Sequence, residues 1–189
     1  MKSFEISSEQ ASGVPLTVRP ASAEDAGRVA AILAECFHPA EGLVGFLQPW
    51  IQASLKGELA NRLRTPPAFY NCLIATVDEQ PVGTIEVAMR GLPQPWWMPG
   101  FGMRDRLAYV SNLAVSNAFR RKGVARSLLI EVEHLVRRWN QATVNLHVME
   151  HNQGALRLYR SLGYRLERSE QEWPFFGPRK LLLEKRLGR

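Results

Sequence analysis

The order strand, helix, strand over residues 107–149 constrains the fold of this chain more than any other feature of its sequence. Residues 107–115 (LAYVSNLAV) and 143–149 (TVNLHVM) have the apolar and β-branched character of strands. Between them, a helix from about 123 to 139 is predicted by apolar residues at 3–4 spacing. A strand–helix–strand unit places its two strands side by side with a right-handed crossover, so we predict that these strands are parallel.

The other predicted strands are neighbours in sequence and should pair mainly antiparallel. They cover residues 16–20, 71–77, 82–90, 163–170 and 178–187. A turn at residues 78–81 joins the second and third of them as a hairpin. The chain is therefore predicted to have an α/β (α+β) fold with a mixed, mostly antiparallel sheet and helices on both faces.

Three further helices are expected. Ser22 followed by Asp25 resembles a capping box, and five apolar residues follow at helical spacing: Val29, Ile32, Leu33, Cys36 and Phe37. A second helical pattern runs from 43 to 63, where Pro49 is expected to kink or split the helix. A short helix from about 152 to 162 should end at Gly163 in a left-handed cap.

Length and composition predict one soluble domain. Residues 15–189 are expected to form it, and residues 1–14 to be a flexible leader without the apolar stretch of a signal peptide. No apolar run is long enough for a membrane span. Cys36 and Cys72 lie far apart without metal-type spacing, so reduced thiols, a cytoplasmic location and no metal site are expected.

The net charge of +6 is concentrated in the second half of the chain. Residues 1–100 carry 7 Lys and Arg against 10 Asp and Glu, whereas residues 101–189 carry 17 against 8. A basic half indicates an anionic partner, which charge alone leaves open as nucleic acid, a membrane surface or a phosphorylated cofactor.

The stretch FRRKGVARSL, residues 119–128, places cations at the start of the predicted helix. Backbone N–H groups in the first turn of a helix lack partners and attract anions. Gly123 permits close approach to a ligand, and a pyrophosphate there would meet the N–H groups of residues 121–126. The alternative is a solvated basic helix start.

LAVSNAFRRKGVARSLL (113–129) and LHVMEHNQGALRLYRSLGY (146–164) together resemble the two signature segments of the GNAT superfamily of N-acetyltransferases. The first segment carries the [R/Q]-x-x-G-x-[G/A] motif at Arg120, Gly123 and Ala125. The second segment carries the pattern N-x-x-A-x-x-L-Y-x-x-x-G-Y from Asn152 to Tyr164. YVSNLAV…FRRKGVA and the aromatic segments at 93–102 and 172–178 resemble the plastid and cyanobacterial subset of that superfamily. The resemblance implies the GNAT fold, in which the two parallel strands splay apart.

The resemblance also implies acetyl-CoA as the acetyl-donating cosubstrate. The backbone of Leu113 and Val115 would hydrogen-bond to the pantetheine arm, as a sheet edge pairs with an added strand. Asn152 would contact the far end of that arm. The implied cofactor-binding residues are Leu113, Ala114, Val115, Arg120, Arg121, Lys122, Gly123, Val124, Ala125, Arg126, Asn152 and Tyr159.

Tyr159 aligns with the family tyrosine that protonates the departing sulfur, although it also fits a core position on its helix. His147 stands twelve residues earlier, where one branch of the family has a glutamate, and is the predicted base, directly or through water. Its alternative is a half-buried strand histidine. Glu86 and Glu150 are weaker candidates, because nothing local distinguishes them from surface carboxylates.

The predicted activity is direct transfer of acetyl from acetyl-CoA to a primary amine, a protein N-terminus or lysine being favoured. Small amines such as polyamines, aminoglycosides or amino acids are the rival acceptors. A nucleic-acid-binding module and an inactive acetyl-CoA binder remain as other classes. Trp96, Trp97 and Phe101, in a Pro/Gly-rich loop, would wall the amine site or fold onto the protein's own surface. A peptide partner is expected, with no stable nucleic-acid or membrane partner, in a monomer or homodimer.

Overall fold

The computed structural model of the chain describes residues 6–8, 15–37, 48–91, 106–170 and 179–188, with backbone alone for 6–8 and 48–55. The described strands are β1 (Ile6–Ser8), β2 (Leu16–Pro20), β3 (Tyr70–Val77), β4 (Gln80–Arg90), β5 (Leu107–Val115), β6 (Thr143–Met149), β7 (Arg165–Glu170) and β8 (Lys180–Arg186). The described helices are α1 (Ala26–Phe37), α2 (Gln48–Arg64), α3 (Val124–Arg138) and α4 (Gln153–Ser161). Hydrogen bonding orders the strands β1-β2-β3-β4-β5-β6-β8-β7.

The chain divides into two compact units. The first comprises Met1–Glu86 and Asn112–Val132, and the second Val87–Ser111 and Glu133–Arg189. The strands β4 and β5 and the helix α3 each contribute residues to both units.

Antiparallel pairing organises the first unit. β2 pairs with β1 and with β3, and β1 lies inside the stretch that the sequence indicated as a leader. Asp78 and Glu79 join β3 to β4 with φ angles of 48° and 64°. Positive φ at both central residues is the geometry of a two-residue type I′ hairpin, whose twist matches that of the strands. The predicted hairpin is therefore confirmed.

The contact between Ser22 and Asp25 that the predicted capping box requires is also present before α1. Asp25 Oδ2 accepts hydrogen bonds from the backbone N–H of Ser22 at 2.7 Å and from its hydroxyl at 2.9 Å. Arg19 donates to both oxygens of the same carboxylate. These bonds outweigh the effect of burial and hold the pKa of Asp25 below its ordinary value.

The core of the first unit lies beneath α1 and α2. Its buried members are Ala26, Val29, Ile32, Leu33, Leu59, Ile74 and Ala114. Phe37 is the last residue of α1, in agreement with its helical spacing, but its side chain is 53% exposed. Pro49 does not interrupt the described α2, because it lies in the first turn, where a missing N–H removes no intrahelical bond.

A parallel ladder and two antiparallel ladders form the sheet of the second unit. Ala108, Tyr109 and Val110 of β5 pair with Val144, Asn145 and Leu146 of β6, which confirms the predicted parallel arrangement. This ladder stops at Val110, although β5 continues to Val115.

The last two strands complete the sheet of the second unit. β8 pairs with β6 along its whole length, and β7 pairs with the other edge of β8. Gly163 ends α4 with φ +90°, as predicted for a left-handed cap. The buried carboxylate of Glu133 pairs with Lys185 Nζ at 2.6 Å.

Candidate active site

The end of β5 carries the backbone predicted to bind the pantetheine arm. Ala114 is buried, whereas Leu113 and Val115 are partly exposed. Ser116, which follows the strand, donates its N–H to the carbonyl of Val82 at 2.9 Å. Just before these residues, Asn112 adopts φ +53°, a left-handed conformation in the middle of a strand.

The predicted pyrophosphate cradle has left-handed backbone at two positions. After a short 3-10 helix at Asn117–Phe119, Arg121 has φ 63° and Gly123 has φ 83°, and α3 begins at Val124. Alternation of left-handed and ordinary residues turns successive N–H groups toward one side, which makes an anion-binding concavity. The first N–H groups of α3 add to it, because they have no partner within the helix.

The cations next to this concavity differ in their contacts and exposure. Arg120 is turned back along the chain and donates from Nε to the carbonyl of Val115 at 3.3 Å. Lys122 Nζ lies 5.0 Å from the centre of the Phe119 ring. Arg121 and Lys122 are exposed, so the field of all these charges is long-range and screened by salt.

Close packing fixes the start of α3 against β4. A Cβ atom built on Gly83 would lie 2.8 Å from Val124 Cγ1 and 3.2 Å from the carbonyl oxygen of Ala114. Contacts this short leave room only for glycine at position 83. Gly83 thus seats the helix that begins at the predicted cradle.

Glu86 on β4 is not the surface carboxylate that the sequence suggested. It is 2% exposed, and Asn112 Nδ2 donates to its Oε1 at 2.8 Å. Arg62 Nη1 of α2 donates to its other oxygen at 3.0 Å. Tyr70 is buried close by, and burial together with the charge of Glu86 raises the pKa of its hydroxyl.

Tyr159 and Asn152 lie on the second unit, at the two ends of α4. Asn152 is its N-cap, and its side-chain oxygen accepts from the N–H of Ala155 at 3.1 Å. Tyr159 is 7% exposed and contacts Tyr164 with ring centroids 5.7 Å apart. Burial raises the pKa of Tyr159 to about 12, so this hydroxyl keeps its proton at physiological pH.

His147 lies in a hydrogen-bonded cluster of the same unit. Its Nδ1 is 2.7 Å from the hydroxyl of Tyr109, and its Nε2 is 3.4 Å from Glu170 Oε2. Arg168 pairs with the same carboxylate at 2.7 Å. Burial lowers the pKa of His147 despite the opposing charge of Glu170, so the ring is neutral at pH 7.

The sequence analysis did not single out five residues of these clusters: Arg62, Tyr70, Tyr109, Asn112 and Glu170. The predicted parallel pairing of the two strands could have indicated Tyr109, because it lies opposite Asn145, two residues before His147. The structure thus groups residues 113–126 in the first unit, and His147, Asn152 and Tyr159 in the second. Glu150 is exposed and has no place in either cluster.

Some predictions lie outside the described residues, among them the loop with Trp96, Trp97 and Phe101. Within the described part of the chain, no group of three His, Cys, Asp or Glu residues could hold a metal ion. No described helix is long and apolar enough to cross a membrane.

Comparison with known proteins identifies the family. The sequence profile of the acetyltransferase (GNAT) family matches residues 28–164. The chain therefore belongs to the GNAT family of acetyltransferases, as the paired motifs predicted.

Among relatives, the chain is 30% identical over 173 residues to GCN5-related N-acetyltransferase 10, chloroplastic, of Arabidopsis thaliana, covering 84% of this chain and 66% of that protein. It is 44% identical over 62 residues to GCN5-related N-acetyltransferase 4, chloroplastic, of the same plant, covering 33% of this chain and 21% of that protein.

A solved structure confirms the predicted fold class. The PaiA N-acetyltransferase from Thermoplasma acidophilum, in complex with coenzyme A, superposes with a TM-score of 0.67 at 17% identity. The superposition covers 91% of this chain and 99% of that one.

Proposed function

We propose that this protein transfers acetyl from acetyl-CoA directly to a primary amine, with a protein N-terminal α-amine as the preferred acceptor and lysine as the second. The observation that carries the proposal is the backbone of the cradle, where Arg121 and Gly123 are left-handed immediately before α3. Such a conformation is costly for arginine and is kept where the surroundings require it. Binding of an anion by residues 121–126 would explain why the left-handed conformation of Arg121 is kept.

Two elements of the first unit would hold the donor. The backbone of Leu113 and Val115 would pair with the amides of the pantetheine arm. Residues 120–126 would bind the pyrophosphate, Gly123 and the helix N–H groups at short range and the cations at longer range. In the second unit, Asn152 and Tyr159 would contact the same donor, an assignment that rests on the family motif.

The transfer exchanges a C–S bond for a C–N bond and moves one proton from nitrogen to sulfur in net terms. The neutral amine attacks the thioester carbonyl and forms the C–N bond, and the C–S bond then breaks to release the CoA thiolate. Tyr159 supplies the proton that this sulfur takes up. Its raised pKa supports the assignment, because a general acid must carry its proton when the leaving group departs. The nitrogen gives up its extra proton to solvent, and solvent restores the proton that Tyr159 donates.

His147 is the proposed base, with Tyr109 as the group between it and the ammonium of the acceptor. The hydroxyl of Tyr109 hydrogen-bonds to Nδ1 and would pass on a proton taken from the amine or from an intervening water. Glu170, on the Nε2 side of the ring, favours the tautomer with the proton on Nε2, which leaves Nδ1 as the acceptor.

The acidity of the acceptor ammonium favours an α-amine over lysine. A chain N-terminus has a pKa of about 8 and a lysine side chain about 10.4. The lowered pKa of His147 makes it a weaker base toward either amine, and the α-amine, which has the lower pKa, is the easier of the two to deprotonate. The cytoplasmic location, the single domain of residues 15–189 and the monomeric or dimeric state stay predictions.

The experiment that tests the function compares acceptor classes at equal concentration. One peptide has a free N-terminus and no lysine, a second is blocked at its N-terminus and contains lysine, and a polyamine is the third acceptor. Mass spectrometry measures the acetylated product of each with acetyl-CoA. We expect the fastest transfer to the first peptide. Acetylation of the polyamine alone would contradict the proposed acceptor, and donor binding without any product would contradict the activity.

A further inference from the structure

The left-handed backbone of Asn112 occurs where β5 leads into the donor-binding residues. Its φ of +53° falls in the middle of the strand, immediately before Leu113. Among residues with a side chain, asparagine adopts this conformation most readily, yet it does so in turns rather than in strands. A single left-handed residue redirects the N–H and C=O groups that follow it, so this conformation sets the directions of the groups at Leu113 and beyond.

The side chain of Asn112 is held by a buried carboxylate. Nδ2 donates to Glu86 Oε1 at 2.8 Å, and Glu86 is 2% exposed. The opposite oxygen, Oε2, accepts from Arg62 Nη1 at 3.0 Å. Arg62 is in turn paired with Glu58 in the same helix, so a chain of contacts runs from α2 through β4 to β5.

Both oxygens of Glu86 are therefore engaged by fixed donors. A buried carboxylate is stable when it is paired and hydrogen-bonded, and Arg62 supplies the compensating charge. To take a proton from an amine, Glu86 would have to give up one of these bonds and leave Arg62 without its buried partner. The arrangement suits an anchor better than a base.

We propose that Glu86 is a positioning residue, which fixes the left-handed conformation of Asn112 and thereby the backbone that receives the pantetheine arm. This inference rests on the proposed function, because it concerns the same donor. It assigns Arg62 the role of holding Glu86 in place and leaves proton removal to Tyr109 and His147.

Substitutions at position 112 separate backbone conformation from side-chain contact. Asn112→Ala loses the tether and disfavours a left-handed backbone, whereas Asn112→Gly loses the tether and keeps that conformation accessible. We expect Asn112→Ala to raise the dissociation constant for acetyl-CoA ~10-fold, the factor that a left-handed alanine costs. Asn112→Gly should raise it less than about 3-fold, since glycine has no such cost.

Substitutions at position 86 separate an anchor from a base. Glu86→Gln keeps an oxygen for Asn112 but presents an amide NH₂ to Arg62 and cannot serve as a base, so donor affinity should fall only in part, while kcat at saturating acetyl-CoA and its pH profile stay within about 3-fold of the wild type. Glu86→Ala should raise the dissociation constant for acetyl-CoA as Asn112→Ala does. Glu58→Gln is the matched control, since it also removes a partner of Arg62 but does not contact Asn112, and its donor affinity should be unchanged.

The measurements are calorimetric titration with acetyl-CoA, steady-state kinetics against pH, and thermal unfolding to verify that each variant folds. A fall of kcat by ~100-fold or more in Glu86→Gln at unchanged donor affinity would make Glu86 a base and overturn the inference. Equal donor affinity in Asn112→Ala, Asn112→Gly and the wild type would also overturn it. If the wild type itself does not bind acetyl-CoA, the proposed function fails first.

Discussion

Gly83 of β4 approaches Val124 at the start of α3 so closely that an added Cβ would lie 2.8 Å from Val124 Cγ1. The same atom would lie 3.2 Å from Leu128 Cδ1. This contact fixes where the helix begins, and with it the N–H groups of the cradle.

Replacing Gly83 with alanine should therefore displace the first turn of α3. We expect a loss of about 1–3 kcal/mol in the free energy of unfolding, as for other overpacked sites, together with weaker binding of acetyl-CoA. Gly57→Ala is the control, because a Cβ there would meet nothing within 4 Å. That exposed helical position should gain about 0.5–1 kcal/mol. Urea unfolding and calorimetric titration measure both effects, and equal stability of the two variants would contradict the packing argument.

Gly123 should matter more to donor binding than any one cation of the cradle. Its φ of 83° is unfavourable for a residue with a side chain, and a Cβ at the helix start also obstructs close approach of a phosphate. We expect Gly123→Val to weaken acetyl-CoA binding by more than ~10-fold and Arg121→Gln by less than about 5-fold, because exposed charges contribute about 1 kcal/mol or less. The opposite order in a titration at physiological salt would show that charge, not backbone, holds the donor.

Tyr159→Phe should lower kcat while leaving donor affinity nearly unchanged. Loss of a general acid typically costs about 10²–10⁴-fold in rate. Because the pKa of Tyr159 is raised to about 12, the loss should be uniform across neutral pH rather than confined to alkaline pH.

Tyr164→Phe is a matched control for Tyr159→Phe. The hydroxyl of Tyr164 is buried and has no hydrogen-bond partner among the described residues, so its removal should leave both turnover and stability intact. Equal kcat in the two phenylalanine variants would remove Tyr159 from the mechanism.

The pH dependence of kcat/KM should report His147. A base works in its neutral form, so activity should fall as pH decreases through the pKa of His147, which burial places below the ordinary 6.5. His147→Gln should abolish this acidic limb along with most of the activity, and Tyr109→Phe should weaken activity with the limb retained. An unchanged acidic limb in His147→Gln would assign it to another group.

The lowered pKa of His147 also determines how the free energy of unfolding changes with pH. A histidine whose pKa is lower in the folded than in the unfolded state leaves stability intact above the unfolded pKa of about 6.5 and reduces it as pH falls below that value. His147→Gln should therefore lose less stability between pH 7 and mildly acidic pH than the wild type. Thermal unfolding at a series of pH values measures the difference, and identical slopes would contradict it.

Local patterns predicted the secondary structure and the family well. The bounds of β5 and β6 agree with the apolar alternation of the sequence, and the helix cap at Gly163 agrees with its glycine. Each of these features depends on residues that are close together in the sequence, so it can be predicted from one sequence alone. The exposure of Phe37 shows the limit of this reasoning, because helical spacing places a residue on a face without showing what covers the helix end.

The clusters of the candidate site were harder to predict because they join distant parts of the chain. Glu86 meets Arg62, 24 residues earlier, and Asn112, 26 residues later. Its burial thus depends on tertiary packing that no local window contains. The left-handed backbone of Arg121 opposes the intrinsic preference of arginine, and that of Asn112 occurs in a strand rather than in a turn, so local propensity predicts neither.

The most direct test of acetyl transfer is the balance of products in one reaction. The protein is incubated with acetyl-CoA and the lysine-free peptide, and acetylated peptide and free CoA thiol are measured together over time. We predict equal amounts of the two products, with both rates falling in parallel in Gly123→Val and in Tyr159→Phe. Release of CoA thiol without acetylated peptide, or no product above the reaction without protein, would contradict the account.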